Sequence, residues 1–225
     1  MKFTYYGHSC FLIETSGSRL LFDPFISPNP LAQHIPIDKI KADFIFISHG
    51  HEDHIADCEQ LAQQTGALVV ASWEICQWLN KKGISNTLPM NTGGKKVWDH
   101  FSVKCVVAQH SSSLPDGSYG GNPMGFCITG EKKVYYSGDT ALTLDMQLVS
   151  QGSAVNCAVL PIGDHFTMGF EDAAKAAHLI QCPKVIGVHY NTFPYIEMDK
   201  EKAKAHFSSN GLILLLPEIG ETLDI

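Results

Sequence analysis

Short apolar runs, separated by glycine, proline and polar clusters, set the pattern of this chain. Lys2–Tyr6, Cys10–Glu14 and Leu20–Asp23 read as strands, with Gly7-His8 and Ser16-Gly17-Ser18 as the breaks between them. Pro24, Pro28, Pro30 and Pro36 then mark a loop that cannot continue a sheet. Asp43–Ser48 is a short apolar run with β-branched members, which predicts a buried strand. Ile55–Gln64 and Trp73–Lys81 carry helical spacing and end at Gly66 and Gly83, with a strand over Ala67–Ala71 between them. Val97–Ala108 reads as β-structure. Ser111–Pro123 has no periodicity and predicts a long loop, of the kind that often carries function. Met124–Thr129 and Lys133–Ser137 predict a hairpin turning at Gly130. Beyond it come strands Cys157–Ile162, Val185–His189 and Leu212–Leu216 and a helix over Glu171–Ile180.

Runs of strands followed by helices imply sheets covered by helices, and no mid-chain linker divides residues 1–225 into two domains. A second regularity matters more for function. Four apolar strands run into metal-ligand side chains: His49, His110, Asp139 (two residues past its strand) and His189. Side chains at converging strand ends are stiff, which is what a metal site requires.

The densest chemistry is Ser48-His-Gly-His-Glu-Asp-His54. His49, His51, Asp53 and His54 place four ligand-type groups within six residues. Imidazole suits zinc and neighbouring transition metals, and carboxylate neutralises charge. Histidines at i and i+2 in a tight loop can share one ion, while Asp53 and His54 can face a second. Each ion needs about three protein ligands and an open position, so distant segments must complete the set. The expected assignment is His49, His51 and His110 on one ion, Asp53, His54 and His189 on the other, and Asp139 bridging. Two ions ~3.5–4 Å apart would acidify a shared water and polarise the scissile bond, with Asp53 orienting the nucleophile. A lone His-x-His is weak evidence. The conjunction with Asp53-His54, a preceding buried strand and three further ligands is not.

Composition narrows the partners. The formal net charge is -7, with acidic residues dispersed, which disfavours a nucleic-acid partner. No apolar segment is long enough to span a membrane or to serve as a signal core, so a cytoplasmic location is expected. The seven cysteines are scattered and never form Cys-x-x-Cys, as expected of reduced, buried thiols. Oligomeric state stays open, a homo-oligomer included.

The order His-x-His-x-Asp-His, a later His, Gly-Asp-Thr and a terminal His resembles the metallo-β-lactamase superfamily over roughly residues 3 to 216. That resemblance implies an α/β fold, a four-layer αββα sandwich with the metals at one edge of the two sheets. Tyr6-Gly-His-Ser9 and Leu160–Gly169 resemble a branch of small metal-dependent hydrolases related to ascorbate-6-phosphate lactonases. Many members of that branch carry Asn at the position of His165. The implied cofactor is a pair of divalent ions, zinc foremost, with manganese, nickel or iron also compatible. The implied substrate is a small ester, lactone or phosphorylated molecule. Alternatives are a metal-dependent phosphodiesterase or nuclease, and a non-catalytic metal-dependent binding protein. Two further histidines are candidate catalytic residues. His8 would touch substrate or the nucleophile, or else only cap the first hairpin. His165, on a glycine-flanked loop, would contact substrate or support a ligand.

Overall fold

The computed structural model describes residues 1–225. In chain order its first strands are β1 (Lys2–Gly7), β2 (Cys10–Thr15), β3 (Ser18–Phe22), β4 (Phe44–Phe46), β5 (Leu68–Ala71), β6 (Thr87–Pro89) and β7 (Lys95–Val97). They are followed by β8 (Ser102–Val107), β9 (Met124–Thr129), β10 (Lys133–Tyr136), β11 (Cys157–Pro161), β12 (Lys184–Val188), β13 (Ile213–Leu215) and β14 (Thr222–Asp224). The helices are α1 (Glu52–Ile55), α2 (Cys58–Thr65), α3 (Trp73–Lys81), α4 (Phe170–Ile180) and α5 (Lys200–Ser209). One sheet has the order β14-β1-β2-β3-β4-β5-β6, the other β13-β12-β11-β10-β9-β8-β7.

The two sheets meet face to face over an aromatic core. Phe3, Phe11, Phe22 and Phe46 form a ladder across four adjacent strands, with successive ring centroids 4.8, 4.7 and 5.0 Å apart. Val103, Phe126, Tyr136, Val159 and Ile186 close onto it from the other sheet. Alternate positions of each strand face outwards and are covered by helices. Leu61, Ile75 and Leu79 of α2 and α3 cover Ile45 and Val69. Ala173, Ala177 and Phe207 of α4 and α5 cover Ala158, Leu160 and Val185. The result is the four-layer αββα order.

Several expectations shift. The β-segment expected over Val97–Ala108 is split by a turn into β7 and β8. The helix expected over Ile55–Gln64 starts earlier and breaks near Asp57, giving α1 and α2. The break has a purpose: the buried Asp57 carboxylate accepts from the backbone N–H groups of Ile26 and Ser27, at 2.5 and 2.9 Å, and pins the proline-rich loop. Helix α5 was not expected, because its charged sequence hides the apolar stripe. Its start is capped by Asp199, which accepts from the N–H groups of Glu201 and Lys202. The short edge strands β6 and β14 also went unread.

Candidate metal centre

The expected ligands all lie beyond the ends of strands on one edge of the sandwich. His49 follows β4, His110 follows β8, Asp139 follows β10 and His189 follows β12. His51 precedes α1, which carries Asp53 and His54. His8 sits in the turn from β1 to β2, and Asp23 just past β3. Three of these positions are strained. His8, Asp23 and His189 hold φ of +54°, +40° and +54° without being glycine, a cost that clusters at functional sites. At Gly138, before Asp139, φ is +61° and a Cβ would lie 2.9 Å from the Met124 carbonyl oxygen. Only glycine lets that turn bring Asp139 in.

Tertiary structure brings the seven expected ligands together in overlapping groups. His49, His51 and His110 offer nitrogens within 4.8 Å of one another, as do the ligand atoms of His49, His54 and Asp139. So do those of His8, Asp53, His54 and His189. His49 Nε2 and His51 Nδ1 are 2.9 Å apart. One oxygen of Asp139 lies 3.0 Å from His189 Nε2, 3.3 Å from His54 Nε2 and 3.8 Å from His110 Nε2. Asp139 therefore stands between the groups. A cleft of about 360 Å³ opens over the cluster, lined by His51, Asp53, His110, Ser111, Asp139, Phe166 and His189.

The charge state of these groups suits a cation. Burial opposes ionisation of Asp139, but the facing His189 and His54 outweigh it and hold the carboxyl well below the usual range. Asp53 is likewise held low, against burial, by His54, His189 and His8. Burial keeps His49, His51 and His110 below the usual imidazole range, as neutral donors. Burial would also lower His189 and His54, but their carboxylate neighbours raise His189 to about 9 and His54 well above its ordinary value. Those are the two protons that a divalent ion would displace. A further observation points the same way. His54 Nε2, His189 Nδ1 and Asp139 Oδ1 are buried without a hydrogen-bond partner. Such atoms are costly and rare, and one of them, His54 Nε2, sits among the ligand-type atoms, 3.3 Å from an oxygen of Asp139 and 3.7 Å from one of Asp53. The donor set fits divalent metal.

The sequence did not single out the layer behind the ligands. Asp23 is wholly buried. One of its oxygens accepts from His54 Nδ1 at 2.9 Å, from the Ser48 hydroxyl at 2.6 Å and from Tyr136 at 2.5 Å. The Ser48 oxygen in turn lies 3.0 Å from His49 Nδ1. One carboxylate thus sets the tautomers of His49 and His54 and leaves each Nε2 lone pair free for a metal. Asp23 had a readable signal, because it ends an apolar strand as the ligands do. Tyr136 and Ser48 had none beyond burial.

The two extra histidines fare differently. His8 is buried, and its Nε2 lies 2.9 Å from Asp53 Oδ2. Its Nδ1 lies 3.0 Å from the Thr192 hydroxyl. Burial, with His189 adding to it, lowers its pKa to about 4. A neutral ring that donates to Asp53 and accepts from Thr192 holds that carboxylate in place. The hydrogen-bonding role expected of His8 is thereby directed at Asp53, and the ring does not line the cleft. His165 is exposed, at φ +57°, and stacks on Tyr195 at a centroid distance of 5.1 Å. It joins none of the ligand groups.

Comparison with known proteins shows the family. The profile of the beta-lactamase superfamily domain matches residues 2–189. A UPF0173 metal-dependent hydrolase of Methylacidiphilum infernorum is 48% identical over 224 residues, 99% of both chains. A second, YtkL of Bacillus subtilis, is 43% identical over 231 residues and the whole of both chains. Among solved structures, Igni18, described as a novel metallo hydrolase from Ignicoccus hospitalis, superposes with a TM-score of 0.88 at 36% identity. That match covers 99% of this chain and 97% of the other. On the strength of these matches, the chain belongs to the beta-lactamase superfamily and, within it, to the UPF0173 metal-dependent hydrolases.

Proposed function

We propose that this protein holds two divalent ions, zinc foremost, and hydrolyses a small ester, lactone or phosphorylated molecule. The observation that carries the reading is the overlap of the ligand groups. Asp139 and His54 belong with both the His49 side and the His189 side of one cluster, and a single ion would leave several donors unused. Two ions bound there would supply a water acidified towards neutrality and Lewis acidity for the scissile oxygen.

The chain's own contribution is placement. Asp53 lines the cleft, and its side chain is still 27% exposed. One of its oxygens is held by His8, so the carboxylate can orient an attacking water. The Ser111 hydroxyl, 3.4 Å from His51 Nε2, also lines the cleft and can hydrogen-bond a substrate oxygen. The Asp23 layer keeps His49 and His54 in fixed orientations, so that little reorganisation is needed on reaction.

All seven cysteines are buried and free, which supports a reducing, cytoplasmic setting. No helix is long and apolar enough to cross a membrane. The test is elemental analysis of the purified protein, followed by hydrolysis of an ester, lactone and sugar-phosphate panel with and without chelator. We expect two ions per chain and turnover that chelator abolishes. Full turnover in metal-stripped protein would overturn the reading.

A further inference from the structure

Phe166, on the loop after β11, lines the cleft but has no task in the ligand set, and beside it, outside the lining, lie two further exposed rings, His165 and Tyr195. Phe166 is the one hydrophobic residue among the seven that line the cleft, and it is 51% exposed. His165 lies edge-on to it at 4.5 Å and stacks nearly flat on Tyr195, with 24° between the planes. Tyr195 is 70% exposed and its ring centroid is 6.1 Å from that of Phe166. Three flat side chains thus form a continuous ledge in water beside a hydrolytic site. Large exposed aromatic surface at the rim of a cleft marks a place where a ligand is bound.

The ledge is built, not frayed. Asp164 and His165 both hold left-handed backbone, at φ +60° and +57°. Gly163 bridges Gly169 across the loop, and a Cβ on Gly163 would come within 2.2 Å of the His189 carbonyl oxygen. The Met168 N–H donates to the carbonyl of Thr140, the neighbour of Asp139, at 3.1 Å. On the Tyr195 side, the Asn191 N–H donates to Ile196 at 2.9 Å, two residues after His189. Both halves of the ledge are therefore anchored to loops that carry ligands, which fixes their distance from the reacting centre. The lining of the cleft includes no lysine or arginine. A phosphate reaching past the ligand cluster would meet an aromatic wall rather than a cationic one.

We propose that this ledge is the specificity subsite of the hydrolase and that it takes the planar, apolar end of the substrate. The preferred class is then an ester or lactone with an aryl or similarly flat group one or two bonds from the scissile carbonyl. This rests on the metal-hydrolase reading above and narrows it. Phe166 and Tyr195 act here as specificity residues, with His165 as the backing of Tyr195.

The test uses two metal-chelating probes that differ only in the ring, acetohydroxamate and phenylacetohydroxamate, titrated calorimetrically into the metal-loaded protein. We expect the aryl probe to bind roughly five- to tenfold more tightly, the size of an aromatic contact with its burial. Phe166→Ala and Tyr195→Ala should each move that ratio towards one, and Phe166→Tyr should retain it. Leu144→Ala, at an exposed site outside the cleft, should leave the ratio as in the wild type. A ratio near one in the wild type, or one that survives both alanine variants, overturns the proposal. A second readout does not pass through the metals. 2-Phenylethanol should shift the His165 ring protons in the NMR spectrum, and no shift would also overturn the ledge. Absence of bound metal in the same samples would instead mark failure of the hydrolase reading.

Discussion

Two pairs of histidines in one cluster are held in different ways. His49 and His54 are buried, and both are braced by Asp23, His54 directly and His49 through Ser48. His51 and His110 are only half-buried and line the cleft. His51 Nε2 lies 3.4 Å from the Ser111 hydroxyl. The inner pair has its tautomers and orientations set by a buried carboxylate network. On the proposed function, the inner pair would retain metal and the outer pair would face substrate.

The largest effect should come from the residue that both sides share. Asp139→Ala removes the oxygen common to the groups, so activity should fall to background and metal content below one ion per chain, as elemental analysis would show. Next, His54→Ala and His110→Ala should separate the pairs. His110→Ala should leave one tightly held ion and a fold melting close to wild type. His54→Ala should disturb both ions and uncover the buried Asp23 and Asp139 carboxylates, with a clearly lower Tm. Equal metal loss from the two variants would erase the distinction between inner and outer pairs.

Asp23→Asn tests the brace without emptying its space. A supporting carboxylate of this kind is worth about 10–100-fold in metal affinity. Competition with a chromophoric chelator should show a loss of that size, and an unchanged affinity would reduce Asp23 to a packing residue. The smallest effect should follow Thr192→Val, which removes the hydroxyl behind His8. The loss of one buried hydrogen bond, about 1 kcal/mol, should appear as a lower kcat with KM nearly unchanged. A change confined to Tm would instead make Thr192 purely structural.

The legibility of these parts follows the same division. His49, His51, Asp53 and His54 are local, and their spacing announces metal chemistry before any fold is known. His110, Asp139 and His189 became readable through a repeated context, an apolar strand running into a polar ligand. Asp23 has that context too, but one carboxylate before a proline is also an ordinary loop residue. Nothing along the chain says that His54 will lie behind it. The aromatic ledge was less visible still. Phe166 and Tyr195 are far apart in sequence, and each alone reads as core or surface.

Residue order alone set the layered strand and helix pattern, the burial of the thiols and the ligand chemistry, because side-chain periodicity and metal coordination act over short spans. Tertiary structure decided which group supports which. It turned the His8 ring onto Asp53, placed Asp23 beside His54 and, through Ser48, His49, and set His165 on the exposed rim against Tyr195. Those outcomes depend on strand ends from two sheets meeting at one edge, and on left-handed turns at His8, Asp23, His165 and His189. Such turns are strained locally and persist only because the packed sandwich holds them.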